Sequence, residues 1–274
     1  MLKISNSKMV TVGDYVHFYE YKNPVTYGFT LRKRPPRIKT QSNDNSPENN
    51  LYRARKQVRF ILQANIPINT PLTRLQFVTY TFKKEITQFK DANYILNKYH
   101  KRLNYELHKI HELPENQNLK YFLVPEIQHS RAKKYGAKVW HFHVIYFNLP
   151  GLWYPRIFKI WGQGGIKVKQ MNDLDHLVNY VTKYFTKSKS EDYAKGQHKY
   201  FCSKAIERPL EFREEDVITE LKNNLDAVGK PTYINSFKSK SWNGQENETK
   251  YSLYKLTPDQ KINFNLLKPY MTKF

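Results

Sequence analysis

The chain has 274 residues, with 46 Lys and Arg against 24 Asp and Glu, a formal charge of +22. Its single cysteine excludes a disulfide scaffold and any multi-cysteine zinc site, and aromatics at 15% supply enough apolar bulk to exclude wholesale disorder. No apolar run is long enough to span a bilayer and the polar start MLKISNSKMV has no secretory apolar core, so the expected setting is the reducing cytoplasm, without a membrane, and the charge points to nucleic acid.

Residues 1 to about 30 are aromatic (Tyr15, Phe18, Tyr19, Tyr21, Tyr27, Phe29), and alternating runs such as TVGDYVHFYEY predict strands. LRKRPPRIKTQSNDNSPENN (31–50), basic and interrupted by proline, reads as a linker or arm. In LYRARKQVRFILQAN, Leu51, Val58, Ile61 and Leu62 recur at helical spacing among Arg53, Arg55, Lys56 and Arg59. That basic helix lies against phosphates or presents a solvated face. RLQFVTYTF (74–82) reads as a strand with Phe77, Thr79 and Thr81 on one face and Val78, Tyr80 and Phe82 on the other. DANYILNKYHKRLNYELHKIH (91–111) reads as a helix capped by Asp91, its core stripe Tyr94, Ile95, Tyr99, Leu103 and Leu107.

KYFLVPEIQ (120–128) and KVWHFHVIYF (138–147) are two further strands, and the basic stretch HSRAKKYG between them makes a hairpin natural. DLDHLVNYVTKYFTK (173–187) and FREEDVITELKNN (212–224) read as helices, the second with acids at its positive end. Beyond 228, SFKSKSWNGQENETK predicts a partly ordered tail. The expected divisions are 1–50, an aromatic segment and basic linker; 51–212, the main domain; and 213–274, a helix and tail. The element order within 74–187 predicts an α+β class, an antiparallel sheet with flanking helices.

Chemistry centres on WHFHVIYF. Alternation puts His141 and His143 on one face of a strand and Trp140, Phe142, Val144 and Tyr146 on the other, so two imidazoles offer nitrogens to one divalent ion. If the hairpin pairs Glu126 opposite His141, a carboxylate joins them; a slip of one residue turns it away. Gln128 is the alternative third ligand. On the 173–187 helix, Leu174, Val178, Val181 and Phe185 form the core arc, while Tyr180, Lys183 and Lys187 fall in a polar arc with Tyr184 at its boundary. A tyrosine oxygen can attack a phosphodiester and hold the DNA covalently, a lysine beside it steadying the charge. Tyr180 is the more central of the two. Arg131, Lys133 and Lys134, with Arg53, Arg55 and Arg59, suit phosphate contact, and Trp153 and Trp161 suit either base stacking or the core.

HFH at 141–143 followed by YVTKYFTK at 180–187 resembles the HUH endonuclease superfamily, specifically its two-tyrosine rolling-circle replication initiators from small phages and plasmids. FVTYTF (77–82) is similar to the family's first motif strand and LVPEIQ to the strand supplying a third ligand; with segments 52–65, 160–168 and 200–209 the likeness spans about 51–210. The stretch between Glu126 and His141 is long for that family. The resemblance implies a five-stranded, ferredoxin-like antiparallel sheet and Mg2+ or Mn2+ held by His141, His143 and Glu126. It implies origin DNA, single-stranded or hairpin, nicked by Tyr180 to leave a 5′-phosphotyrosine, with Tyr184 serving a second cleavage. No Gly-rich phosphate loop followed by Lys-Ser/Thr occurs, so a helicase and a polymerase would come from a bacterial host. A relaxase or single-strand transposase with the same chemistry, or a non-catalytic nucleic-acid-binding protein, are the other readings.

Overall fold

The computed structural model describes residues 2–28, 47–67, 76–136, 139–149, 154–170, 174–187, 198–240 and 246–265. In chain order these form β1 (Leu2–Val12), β2 (Tyr15–Gly28), α1 (Pro47–Asn65), β3 (Gln76–Tyr80), α2 (Phe89–Lys109), β4 (Tyr121–Ile127), α3 (His129–Tyr135), β5 (Trp140–Tyr146) and α4 (Tyr154–Trp161). There follow β6 (Ile166–Gln170), α5 (Leu174–Lys187), β7 (Phe201–Cys202), β8 (Leu210–Phe212), α6 (Glu215–Val228), β9 (Tyr233–Lys240), β10 (Glu246–Lys255) and α7 (Pro258–Asn265). The class is α+β, with two five-stranded antiparallel sheets. Two units divide the chain, Met1–Ile68 with Glu207–Phe274, and Asn69–Ile206. The sequence reading draws its boundaries after 50 and 212 instead.

The first unit is built on the sheet β8-β1-β2-β10-β9. A two-residue turn joins β1 to β2, with Val12 paired to Tyr15. Gly13 occupies that turn at φ +60°, and a Cβ there would lie 2.5 Å from the Gln63 carbonyl oxygen, so both the backbone angle and the close approach of α1 require glycine. On one face Met9, Val16, Phe18 and Tyr254 pack with Ile218, Leu221 and Leu225 of α6. The alternate residues face α1, whose Val58, Ile61 and Leu62 are buried. Residues expected as a tail are β9, β10 and α7. Their polar composition concealed them because a half-solvated strand buries few of its residues, in β10 Thr249, Ser252 and Tyr254.

The second unit carries the sheet β6-β3-β5-β4-β7. Val78, Tyr80, Phe142, Val144, Tyr146 and Leu123 turn one face toward α2 and α4, whose Leu96, Tyr99, Leu103, Leu107, Ile157 and Trp161 complete the core. Three phenols and an imidazole are buried inside it: the Tyr80 hydroxyl is hydrogen-bonded to those of Tyr99 (2.7 Å) and Tyr146 (2.9 Å), and His100 Nε2 to Tyr146 (3.0 Å). Burial pushes the Tyr80 and Tyr146 hydroxyls up and lowers His100 to about 3, so the network is neutral. The α2 stripe differs from the sequence reading. Tyr94 is 61% exposed, and Ala92 and Leu96 hold the inner positions. Spacings of three and four fit either set, and the choice fell to the residues that lose least by leaving water. Asp91 lies in the first turn behind Gln88, the cap residue. Trp161 is fully buried and donates from Nε1 to the Thr81 carbonyl, which makes it a core residue; Trp153 lies outside the described residues. The loop after α4 presses on the end of β3: Thr81 N donates to the Gly165 oxygen and Lys83 N to that of Gln163. A Cβ on Gly164 would lie 2.3 Å from the Thr81 oxygen.

Candidate metal centre

In β5 all seven residues are buried, because helices cover both faces of the sheet. Phe142 points into the core, which by alternation sends His141 and His143 to the opposite face. β4 pairs with β5 so that Glu126 lies opposite His141 and Val124 opposite His143. The hairpin register is thus the one that delivers the carboxylate. The long stretch between Glu126 and His141 is accommodated by α3, closed by Gly136 in the left-handed region.

The three side chains converge. Glu126 Oε2 is 2.7 Å from Nε2 of His141 and 2.7 Å from Nε2 of His143, and the two Nε2 atoms are 3.1 Å apart. On the third strand Thr79, paired with His143 across the ladder, is hydrogen-bonded through Oγ1 to His143 Nδ1 at 3.0 Å. That bond fixes the ring and leaves Nε2 to face Glu126. His141 Nδ1 is buried with no hydrogen-bond partner among the described residues. Burial alone would raise the Glu126 carboxyl, but hydrogen bonds from His141 and His143 outweigh it and hold it at about 2. Burial lowers His143 in spite of Glu126, keeping the imidazole neutral.

Such a donor set fits a divalent cation. Moved from Nε2 to Nδ1, the ring hydrogens would leave both Nε2 lone pairs and the carboxylate oxygen facing one point, where a cation would satisfy all three at once. A six-coordinate magnesium with bonds of about 2.1 Å spaces neighbouring ligands by about 3 Å, close to the triangle found here. Two nitrogens and one oxygen also leave coordination positions open for substrate. Among the described residues this is the group of His, Cys, Asp or Glu side chains close enough to hold a metal. Gln128 leaves the strand as the residue before α3.

α5 packs against β4. Its Leu177, Val178 and Val181 are buried, and Tyr180 is half-buried. The Tyr180 ring meets Phe77 edge-on at 4.9 Å, and Phe77 stacks on His143 at 5.5 Å, so a single ring separates the phenol from a metal-facing imidazole. A lysine does lie against Tyr180, but it is Lys169 of β6, its Nζ 4.4 Å above the ring. Sequence reasoning missed it, although IKVKQ carried the signal: alternation in β6 pairs Lys169 with Phe77 and Lys167 with Thr79, on the site face. Lys183 is exposed on α5; Tyr184 and Lys187 lie on the same helix, with side chains outside the described residues. Arg131 donates to the carbonyls of Phe82 (2.8 Å) and Lys83 (3.3 Å), tying α3 to the end of β3. Lys133 is exposed, and the Lys134 side chain lies outside the described residues. Arg53, Arg55 and Arg59 belong to α1, in the first unit.

Residues 75–189 match the family model of replication-associated protein ORF2/gene II protein. The matched segment runs from β3 through α5 and so contains Glu126, His141, His143, Tyr180 and Tyr184. It covers less than half of the chain; the first unit lies outside it. No curated protein and no solved structure matches. No helix among the described residues is long and apolar enough to cross a membrane.

Proposed function

We propose that the protein initiates rolling-circle replication by nicking single-stranded or hairpin origin DNA, with Tyr180 as nucleophile beside a cation held by Glu126, His141 and His143. The observation that carries this reading is the convergence of those three ligands on the sheet face that α5 shares, with Tyr180 one ring from His143, inside a segment matched to replication-associated proteins. Magnesium or manganese bound there would supply Lewis-acid polarisation of the scissile phosphate. The chain's own residues do the rest. Tyr180 Oη gives up its proton and forms the new O–P bond. The P–O3′ bond breaks, the 3′ oxygen takes up a proton, and the DNA beyond the nick stays on the protein as a 5′-phosphotyrosine. Lys169, and Lys183 and Lys187 on the helix itself, would steady the phosphate's charge. Tyr184, one turn on, would attack in the second cleavage that releases a circle. The free 3′-OH would prime a host polymerase behind a host helicase in the bacterial cytoplasm. Exposed arginines and Lys133 and Lys134 would grip the backbone.

The test uses a pool of single-stranded oligonucleotides carrying candidate origin hairpins, labelled at one end, with Mn2+. Label at the 3′ end is expected to migrate with the protein on a denaturing gel and label at the 5′ end is not. No adduct across the pool, or an undiminished adduct in the Tyr180→Phe, Tyr184→Phe double variant, would sink the proposal.

A further inference from the structure

The first unit presents an aromatic surface to which the nicking reading gives no role beyond phosphate contact by its arginines. On the sheet face toward α1, the helix packs over β2: Phe60 lies 4.6 Å from His17, and Lys56 Nζ sits 4.9 Å over the Tyr19 ring. β9 is the far edge strand, and its residues 233–238 are exposed. Its inward alternation places Tyr233 and Phe237 on this face, 53% and 41% exposed. Tyr233 is 6.1 Å from Tyr251 of β10, and Tyr251 is 5.1 Å from Tyr19 of β2, so rings continue from the covered half of the sheet to the open edge. Tyr52, on the outer side of α1, is 69% exposed.

Among the described residues, cations outnumber acids on this face. α1 carries Arg53, Arg55, Lys56 and Arg59, and β1 adds Lys8, its Nζ 5.0 Å from the centre of the Tyr19 ring. The acid here, Glu211 of β8, is engaged by Lys8 at 3.5 Å and by Arg213 at 2.6 Å. Glu246 and Glu248 of β10 fall on the other face by alternation, as do Glu20 and Lys250. An exposed aliphatic patch with a mixed-charge rim suits a protein partner. Exposed flat rings beside lysines and arginines suit unpaired bases on a phosphate backbone.

We propose that Tyr233, Phe237 and Tyr251, with the basic side of α1, form a binding surface for single-stranded DNA in the first unit. It needs neither the cation nor the tyrosine of the second unit, and so stands or falls separately from the nicking reading. Rings stack on bases of any identity while the lysines and arginines follow the backbone, which makes the surface indifferent to sequence. A duplex, its bases already stacked on each other, would engage only the cations.

Fluorescence anisotropy of a labelled twenty-nucleotide oligo(dT) with the full chain in EDTA tests this, since no origin and no metal are then present. The Tyr233→Ala, Phe237→Ala double variant is expected to bind at least about tenfold more weakly. The Tyr233→Phe, Phe237→Tyr exchange keeps both rings and is expected to bind as the native protein does. Duplex DNA of equal length is expected to bind more weakly and to be indifferent to the alanine changes. Unchanged oligo(dT) affinity in the alanine variant, an exchange variant as weak as the alanine one, or an equal loss on duplex would each overturn the proposal. So would a change in sedimentation without a change in affinity, which would mark β9 as a contact between copies of this chain.

Discussion

Glu126, His141 and His143 are held in a cluster whose geometry only three strands together can set. Thr79 contributes by fixing the His143 ring from behind. Thr79→Val keeps the shape of the side chain and removes its oxygen; Mn2+ affinity measured by calorimetry is expected to fall ten- to a hundredfold, as outer partners of metal ligands generally cost. Removing both imidazoles, His141→Ala with His143→Ala, is expected to abolish stoichiometric binding. His17 makes a different kind of prediction. Burial lowers its imidazole to about 4 in the folded chain, against an ordinary value near 6.5. Both states are neutral above that ordinary value, so the full stability is present there. Between the two values the unfolded chain takes up a proton that the folded one refuses, so stability is lost as pH falls through that window, by about 3 kcal/mol in all. Urea unfolding of the native protein at pH 7 and pH 4.5 should differ more than that of His17→Gln, which has nothing to titrate.

Most of the helices and strands were legible as periods in the sequence. Period two in WHFHVIYF separated the two clustered imidazoles from the core row correctly, because that strand is covered on both sides and a slip would have buried two histidines against α2. The α2 stripe was misplaced by tyrosine, a residue at home in water or in a core: Tyr94 is exposed while Tyr99 is fully buried. Lys169 went unread because its partner, Phe77, is distant in sequence and the pairing of β6 with β3 is a fact of topology. Gly164 drew no reading from the sequence, because its reason is contact: backbone on the far side of any Cβ cannot yield as a side chain would. Gly164→Ala is expected to cost about 1–3 kcal/mol, read as a lower urea midpoint with an unchanged slope.

At the scale of the whole molecule, the polar C-terminal segment is structural. β10 pairs with β2 over seven positions and with β9 over eight, and it places Tyr254 in the core beside Met9 and Phe18. Composition could not reveal this, since the apolar partners of that segment stand at the opposite end of the chain. A chain ending at Gly229 is expected to lose the first unit, with rapid trypsin cleavage within 2–28. Its Mn2+ binding should persist, because Glu126, His141 and His143 and the strands that carry them all lie within Asn69–Ile206. Equal loss of metal binding in that truncation would show the two units to fold as one.

A sheet whose inner strands come from both ends of the chain also dictates an order of events during synthesis. The middle unit has all its strands once residue 202 has left the ribosome, whereas β2 waits for β10 until residue 255 has emerged. At about 5–20 residues per second, the nascent hairpin spends about 11–45 seconds with the β2 edge unpaired, and a chaperone or a neighbouring nascent chain would find it during that interval.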